Sequence, residues 1–211
     1  MIIALENASS DPSIALAAPD GTILAVDGWS VGRRQGSDLL PRLLALLARD
    51  DRELRHATAV AVGAGPGSFT GLRVAMSVAK GLALALDIPV VAAPSLVAWL
   101  AAEPGSAAAV TRAGARDAFV LLRGEREPRI ALTAELPAIV AGRGVVAPTE
   151  LAEAAGLAGA LTPHRAAGAI AEAVAARLAA DPGGDDLDHL EPIYLRPAGR
   201  IGPTRGVVGW P

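Results

Sequence analysis

Nine consecutive residues limit the fold of this chain more than any others. Gly63-Ala64-Gly65-Pro66-Gly67-Ser68-Phe69-Thr70-Gly71 joins a short apolar run at 59–63 to a long apolar stretch at 70–86. A short apolar run, a glycine-rich turn and a helical periodicity in that order describe a buried strand handing over to a helix, a unit of α/β architectures. Two readings of the loop stay open. Its backbone N–H groups can cradle an anion at the helix N-terminus, or the glycines can make a tight turn packed against a neighbouring segment. It is not a phosphate-binding Walker loop, because Leu72-Arg73 follows Gly71. The dinucleotide spacing also fails, since Phe69-Thr70 displaces the third glycine.

The segments around the loop extend the pattern. Residues 2–6, 13–18 and 22–27 alternate like strands, the last two joined by Pro19-Asp20-Gly21, a hairpin signal. Ser37 is placed to cap a helix running to about Arg49, with Pro41 in its first turn. Residues 89–93 read as another buried strand, and a short helix starts at Ser95. Strand, strand, strand, helix, strand, helix, strand, helix is the order of one ribonuclease-H-like half, the unit duplicated in actin-like ATPases. The expectation is a two-lobed actin-like α/β fold with a complete first lobe at 1–103 and a boundary at Glu103-Pro104-Gly105-Ser106. A reduced second lobe at 104–196 holds strands at 107–111, 117–123 and 130–133 and helices at 149–156 and 163–180. Residues 181–186 read as a turn or loop. Residues 197–211, with three prolines and four glycines, read as a mobile tail.

Composition narrows the function. The chain of 211 residues is 52% hydrophobic with mean hydropathy +0.39, yet 47 residues are alanine and only six are aromatic. Small aliphatic side chains must build the core. The best candidate between charges, 88–102, has 15 residues and is broken by Pro89 and Pro94, so no membrane span is expected. The first six residues reach Glu6 without a basic region, and the reading is a cytoplasmic chain. Absence of cysteine excludes disulfides, thiolate nucleophiles and iron–sulfur clusters. A net charge of −3, with Lys80 the single lysine, argues against broad nucleic-acid binding. His56, His164 and His189 stand in separate segments without metal-ligand spacing, and no serine sits in a G-x-S-x-G elbow. Glu6-Asn7, ending the first strand, reads as a surface acid or as a pair that orders a magnesium-bound water.

Two helices carry more apolar surface than one small lobe needs. Within 72–86 only Arg73, Ser77 and Lys80 are strongly polar, and their spacing sets them on one narrow stripe. In the 39–47 segment Leu39 and Leu46 fall beside the face formed by Leu40, Leu43, Leu44 and Leu47. Side by side, such helices offer a patch to a protein partner, unless the second lobe or the Ser95 helix covers them.

Gly65-Pro66-Gly67-Ser68-Phe69-Thr70-Gly71-Leu72-Arg73, continuing into Ala79-Lys80-Gly81-Leu82-Ala83, resembles the hallmark of the TsaB (YeaZ) family. Ile3-Ala4-Leu5-Glu6-Asn7-Ala8, Ser37-Asp38-Leu39-Leu40-Pro41 and Pro192-Ile193-Tyr194-Leu195-Arg196 resemble further family elements in family order. The resemblance implies a two-lobed actin-like fold and a non-catalytic subunit. Such a subunit pairs with a TsaD-type enzyme, joined by a TsaE-type ATPase, in forming threonylcarbamoyladenosine beside the anticodon of tRNAs. It also implies contact with tRNA only through the complex, ATP and a metal ion belonging to the partners, and a homodimer when the chain is alone. Carried onto this sequence, the partner interface falls on Leu40, Leu43, Leu44, Leu47, Arg73, Met76, Ser77 and Lys80. The chain departs from the family pattern at Glu6-Asn7, at Gln35, and in the second lobe at Arg112-Ala113-Gly114 and Asp117-Ala118-Phe119. The competing reading is a small ATP-dependent actin-like kinase or a glycoprotease-like metal enzyme.

Overall fold

The structure, a computed structural model, describes residues 1–31 and 37–193. Alternating apolar residues build its first layer. β1 (Ile2–Glu6), β2 (Ser13–Ala17) and β3 (Ile23–Gly28) form an antiparallel meander, and β4 (Ala59–Gly63) and β5 (Val90–Ala93) add in parallel, in the order β3-β2-β1-β4-β5. Successive side chains leave a strand on opposite faces, so this sheet feeds two cores. Ile3, Leu5, Val60 and Val62 meet α1 (Leu39–Arg49) and α2 (Phe69–Leu86) on one side. Ile2, Ala4, Ala59 and Ala61 meet α6 (Ala166–Ala180) on the other, where Ala98 of α3 (Ser95–Ala102) joins them.

The second sheet has the order β8-β7-β6-β9, from β6 (Ala108–Arg112), β7 (Asp117–Leu122), β8 (Arg129–Leu132) and β9 (Val145–Val146). One face packs on α4 (Leu136–Val140) and α5 (Thr149–Ala155). The other meets α3 through Leu96, Trp99, Leu100, Phe119 and Leu121, a buried layer between the sheets. Together the two mixed sheets make the two-lobed actin-like, ribonuclease-H-like α/β fold, with five strands in the first lobe and four in the second.

Several elements differ from their sequence reading. The helix expected over 163–180 among the second-lobe elements spans Ala166–Ala180 and lies against the first sheet. Its inner surface is Ala167, Ala171 and Ala175 with Ile170 and Val174, and alanines let a helix approach a sheet closely. α4 and β9 went unread because five and two residues are too short to show a periodicity. Asp38, not Ser37, occupies the cap position of α1, and Ser37 Oγ donates to Asp38 Oδ1. The loop read at 181–186 belongs to a longer strap along β5. Asp185 N–H donates to Val90 O at 2.7 Å, Asp185 Oδ2 accepts from Ala92 N–H at 2.7 Å, and Ile193 N–H donates to Ala64 O at 2.7 Å. That strap pairs the open edge of the sheet. Gln35, Tyr194-Leu195-Arg196 and the 197–211 tail lie outside the described residues.

α2 corrects the membrane argument. Its 18 residues, with mean hydropathy 1.4, are long and apolar enough to cross a membrane, the only such helix among the described residues. Arg73 and Lys80 interrupt the run, which is why a search for uncharged stretches passed over it. Here its inner face is core, formed by Ala75, Met76, Ala79 and Ala83.

Candidate functional site: the glycine loop and the outer helix face

The loop after β4 is pressed onto the turn that ends β1, and that contact explains its glycines. A Cβ on Gly67 would stand 2.2 Å from Ala8 O, and one on Gly71 would stand 2.0 Å from Asn7 O. Gly65 has φ +96°, a backbone conformation that side chains rarely adopt. The Gly65–Pro66 peptide is cis. Four of the loop's amides are engaged within the protein: Ala64 N–H donates to Ala93 O, Gly65 N–H to Ser95 Oγ, Ser68 N–H to Ala8 O and Gly71 N–H to Ser68 Oγ. Of the two readings of Gly65, Pro66, Gly67, Ser68, Phe69, Thr70 and Gly71, the geometry favours the packed turn. Ser68 caps α2, and Asn7 Nδ2 donates to Gly71 O at 3.0 Å, closing the junction from the β1 side.

Glu6 is the buried acid of this junction, only 1% exposed, so the account of it as a surface acid at the strand end does not hold. The absent side chain of Gly63 makes its space, since a Cβ there would lie 1.9 Å from Glu6 Oε2. Glu6 Oε1 accepts from Ala8 N–H and Oε2 from Ser95 Oγ, each at 2.8 Å. Burial pushes its pKa up from 4.5 to about 7, and those hydrogen bonds offset only part of the desolvation. Among the described residues no group of three or more His, Asp or Glu is arranged to hold a metal ion. His56 and His189 stay apart from the junction, His189 pairing with Asp186 at 2.6 Å on the surface.

The other candidate residues lie on the α1 and α2 face of the first sheet. α3, one proposed cover for these helices, packs on the opposite side, and the interlobe core reaches α2 at Leu72. Leu40 and Leu44 are 40% and 47% exposed, while Leu43 and Leu47 turn into the core. On α2, Arg73 and Ser77 are exposed, Lys80 is half-buried, and Met76 is buried at 4%. Leu43, Leu47 and Met76 therefore cannot touch a partner without leaving the core, a correction to the interface expected from sequence. Two residues missing from that set stand in the open instead: Phe69, 47% exposed with the Arg73 guanidinium 3.9 Å over its ring, and Leu84, 77% exposed. The spacing of 69, 73, 77, 80 and 84, in steps of four and three, is the helical stripe that would have found them.

A third cluster gave no sequence signal. Asp11, in the turn between β1 and β2, has a fully buried side chain that gathers Ser30, Thr149 and His164 from distant segments. In sequence, Ser9-Ser10-Asp11-Pro12-Ser13 looks like an ordinary polar turn.

Comparison with known proteins agrees with this architecture. The "tRNA threonylcarbamoyladenosine biosynthesis protein TsaB" of Escherichia coli (strain K12) is 34% identical over 96 residues, 46% of this chain and 41% of that protein. The protein of the same description from Bacillus subtilis (strain 168) is 33% identical over 95 residues, 45% and 41% of the two chains. These alignments span less than half the length of the curated relatives. The structure of YeaZ from Pseudomonas aeruginosa superposes with TM-score 0.63 and 26% identity over 92% of this chain and 99% of that one. A second structure, of an uncharacterized protein with similarity to peptidase YEAZ from Pseudomonas aeruginosa, gives TM-score 0.66 and 25% identity over the same shares. A match to the family described as TsaD, tRNA N6-adenosine threonylcarbamoyltransferase, spans residues 31–163, more than half of the chain. The chain belongs to that family, in its TsaB/YeaZ branch. Within a TsaB/YeaZ chain, the Gly65 to Arg73 motif thus has a structural office: it seats α2 on the β1 turn and presents Phe69 and Arg73 at the start of the outer stripe.

Proposed function

We propose that this chain is a non-catalytic partner subunit that binds and supports a TsaD-type enzyme in forming threonylcarbamoyladenosine next to the anticodon of tRNAs. The observation that carries this reading is the outer face of α1 and α2, on which no described element is packed and where Leu40, Leu44, Phe69 and Leu84 stand exposed near Arg73, Ser77 and Lys80. Apolar surface rimmed by polar groups on a folded lobe suits a protein partner. A TsaE-type ATPase joins the assembly, tRNA is met through the complex, ATP and metal stay with the partners, and the site of action is the cytoplasm. Without its partner the chain pairs with itself through the same face.

The absence of catalysis in this chain is supported by a glycine loop spent on packing and an acid sealed from solvent. Reconstitution of the tRNA modification with and without the chain tests the role. A yield that depends on the chain supports it, and equal yields would overturn it. Calorimetric titration with ATP and magnesium separates the competing enzyme: tight, magnesium-dependent binding by the chain alone would favour the kinase-like reading.

A further inference from the structure

The side chain of Asp11 is fully buried, and among the described residues no lysine or arginine is paired with it. A buried carboxylate is tolerated only where hydrogen-bond donors replace its hydration. Here the donors come from both lobes. Ser10 Oγ donates to Oδ2 at 3.2 Å, and Ser30 Oγ, just beyond β3, donates to Oδ1. From the second lobe, Thr149, the first residue of α5, gives its N–H to Oδ2 at 2.8 Å and its hydroxyl to Oδ1 at 3.1 Å. His164, on the segment entering α6, brings Nε2 to 3.4 Å from Oδ1 without a hydrogen bond. Thr162 Oγ1 lies 3.1 Å from His164 Nδ1 and steadies the ring.

Neighbouring contacts keep these residues in place. Gly28 leaves room for His164, whose Cβ would stand 2.5 Å from a Cβ on that glycine. Ser13 Oγ accepts from Ala167 N–H at 3.1 Å and donates to Pro163 O at 3.4 Å, anchoring the start of α6 beside the same turn. The space between the sheets next to this cluster is filled by the apolar layer of Leu96, Trp99, Phe119 and Leu121.

We propose that Asp11 is a clasp: its single carboxylate, bonded from Ser30 on one lobe and Thr149 on the other, locks the two lobes closed over their apolar layer. The chain then meets other molecules as one rigid body and does not hinge. Separating the lobes would take both Thr149 donors from a carboxylate that few other groups can satisfy.

The test uses the full chain, and its lack of cysteine makes spin labelling clean. Cysteines are introduced at exposed Ala48 and Glu127, in different lobes, and the distance distribution between labels is measured by electron spin resonance. The parent should give one narrow distribution. Asp11→Asn keeps the shape and replaces one acceptor oxygen with an amide donor; it should broaden the distribution or add a longer distance, with amide exchange at Thr149 at least tenfold faster and exchange in β1 and β4 unchanged. An unaltered distribution in folded Asp11→Asn protein would overturn the proposal. So would a uniform rise in exchange over the whole chain, which marks general destabilisation. Should Asp11→Asn not fold, Thr149→Ala decides in its place, since it deletes one bond of the clasp and keeps the backbone amide. There too, widening supports the clasp and an unchanged distribution overturns it.

Discussion

α2 and α6 are equally poor in polar residues, yet one is closed in and the other faces outward. α6 lies between the first sheet and α3, and eight of its residues, from Ala166 to Ala175, are buried. α2 packs only its inner face on the sheet and leaves Phe69, Arg73, Ser77 and Leu84 outside. Apolar content therefore does not tell a core helix from one with a surface to share. What separates the two is the layering on them: α3 closes over α6, while among the described residues α2 is met at its start by the interlobe layer at Leu72 and along the β5 edge by Leu187, Leu190 and Ile193 of the strap.

The largest effect should come from charging the closed helix. Val174→Asp places a carboxylate where no donor waits, a cost on the order of 5 kcal/mol or more, and circular dichroism should find no cooperative melt. A stable, cooperatively melting Val174→Asp protein would break the contrast between the helices. Next comes Leu43→Asp on α1. Because Leu43 is fully buried, this change should destabilise by about 3–5 kcal/mol in urea denaturation, and any loss of partner binding would follow from unfolding.

A smaller effect is carried by pH through Glu6. Its folded pKa of about 7 lies above the unfolded 4.5, so between those values the folded chain holds a proton that the unfolded chain has released. Stability from this group is complete below pH 4.5 and is lost as pH rises through 7, by about 3 kcal/mol at 1.4 kcal/mol per pH unit. Glu6→Gln, uncharged and similar in shape, should remove that fall and leave the chain more stable than the parent at pH 8. Denaturation at pH 5 and pH 8 checks it; equal pH dependence in the two proteins would mean the fall has another source.

The least effect on folding is expected on the open stripe. Leu84→Asp and Leu44→Asp should change stability by about 0.5 kcal/mol or less. The same changes should weaken association with a TsaD-type protein about tenfold or more, as measured by calorimetry. Unchanged affinity in both would move the interface off this face.

Much of the first lobe was legible because its signals are local. The Asp20-Gly21 turn, with Gly21 at φ +90°, and the alternation of Ile2 to Glu6 depend on residues within a few positions of each other. The same holds for the handover from β4 through Gly65 to α2. The candidate face was legible in part. Six leucines in the α1 segment and a three-residue polar stripe on α2 marked the helices, but the pattern could not separate Leu40 and Leu44 from Leu43 and Leu47, because a helix with leucines on several sides has no single apolar face.

By itself, the sequence determined the order of strands and helices in the first lobe and the family motif at Gly65 to Arg73, both of which rest on contacts between near neighbours. Tertiary structure alone decided that α6 returns to the first sheet, that Glu6 is sealed beneath the glycine loop, and that Asp11 meets Thr149 from 138 positions away. Those outcomes follow from which surfaces meet when the layers stack. A buried carboxylate or a second covered face is created only by that meeting, so no window of neighbouring residues contains it.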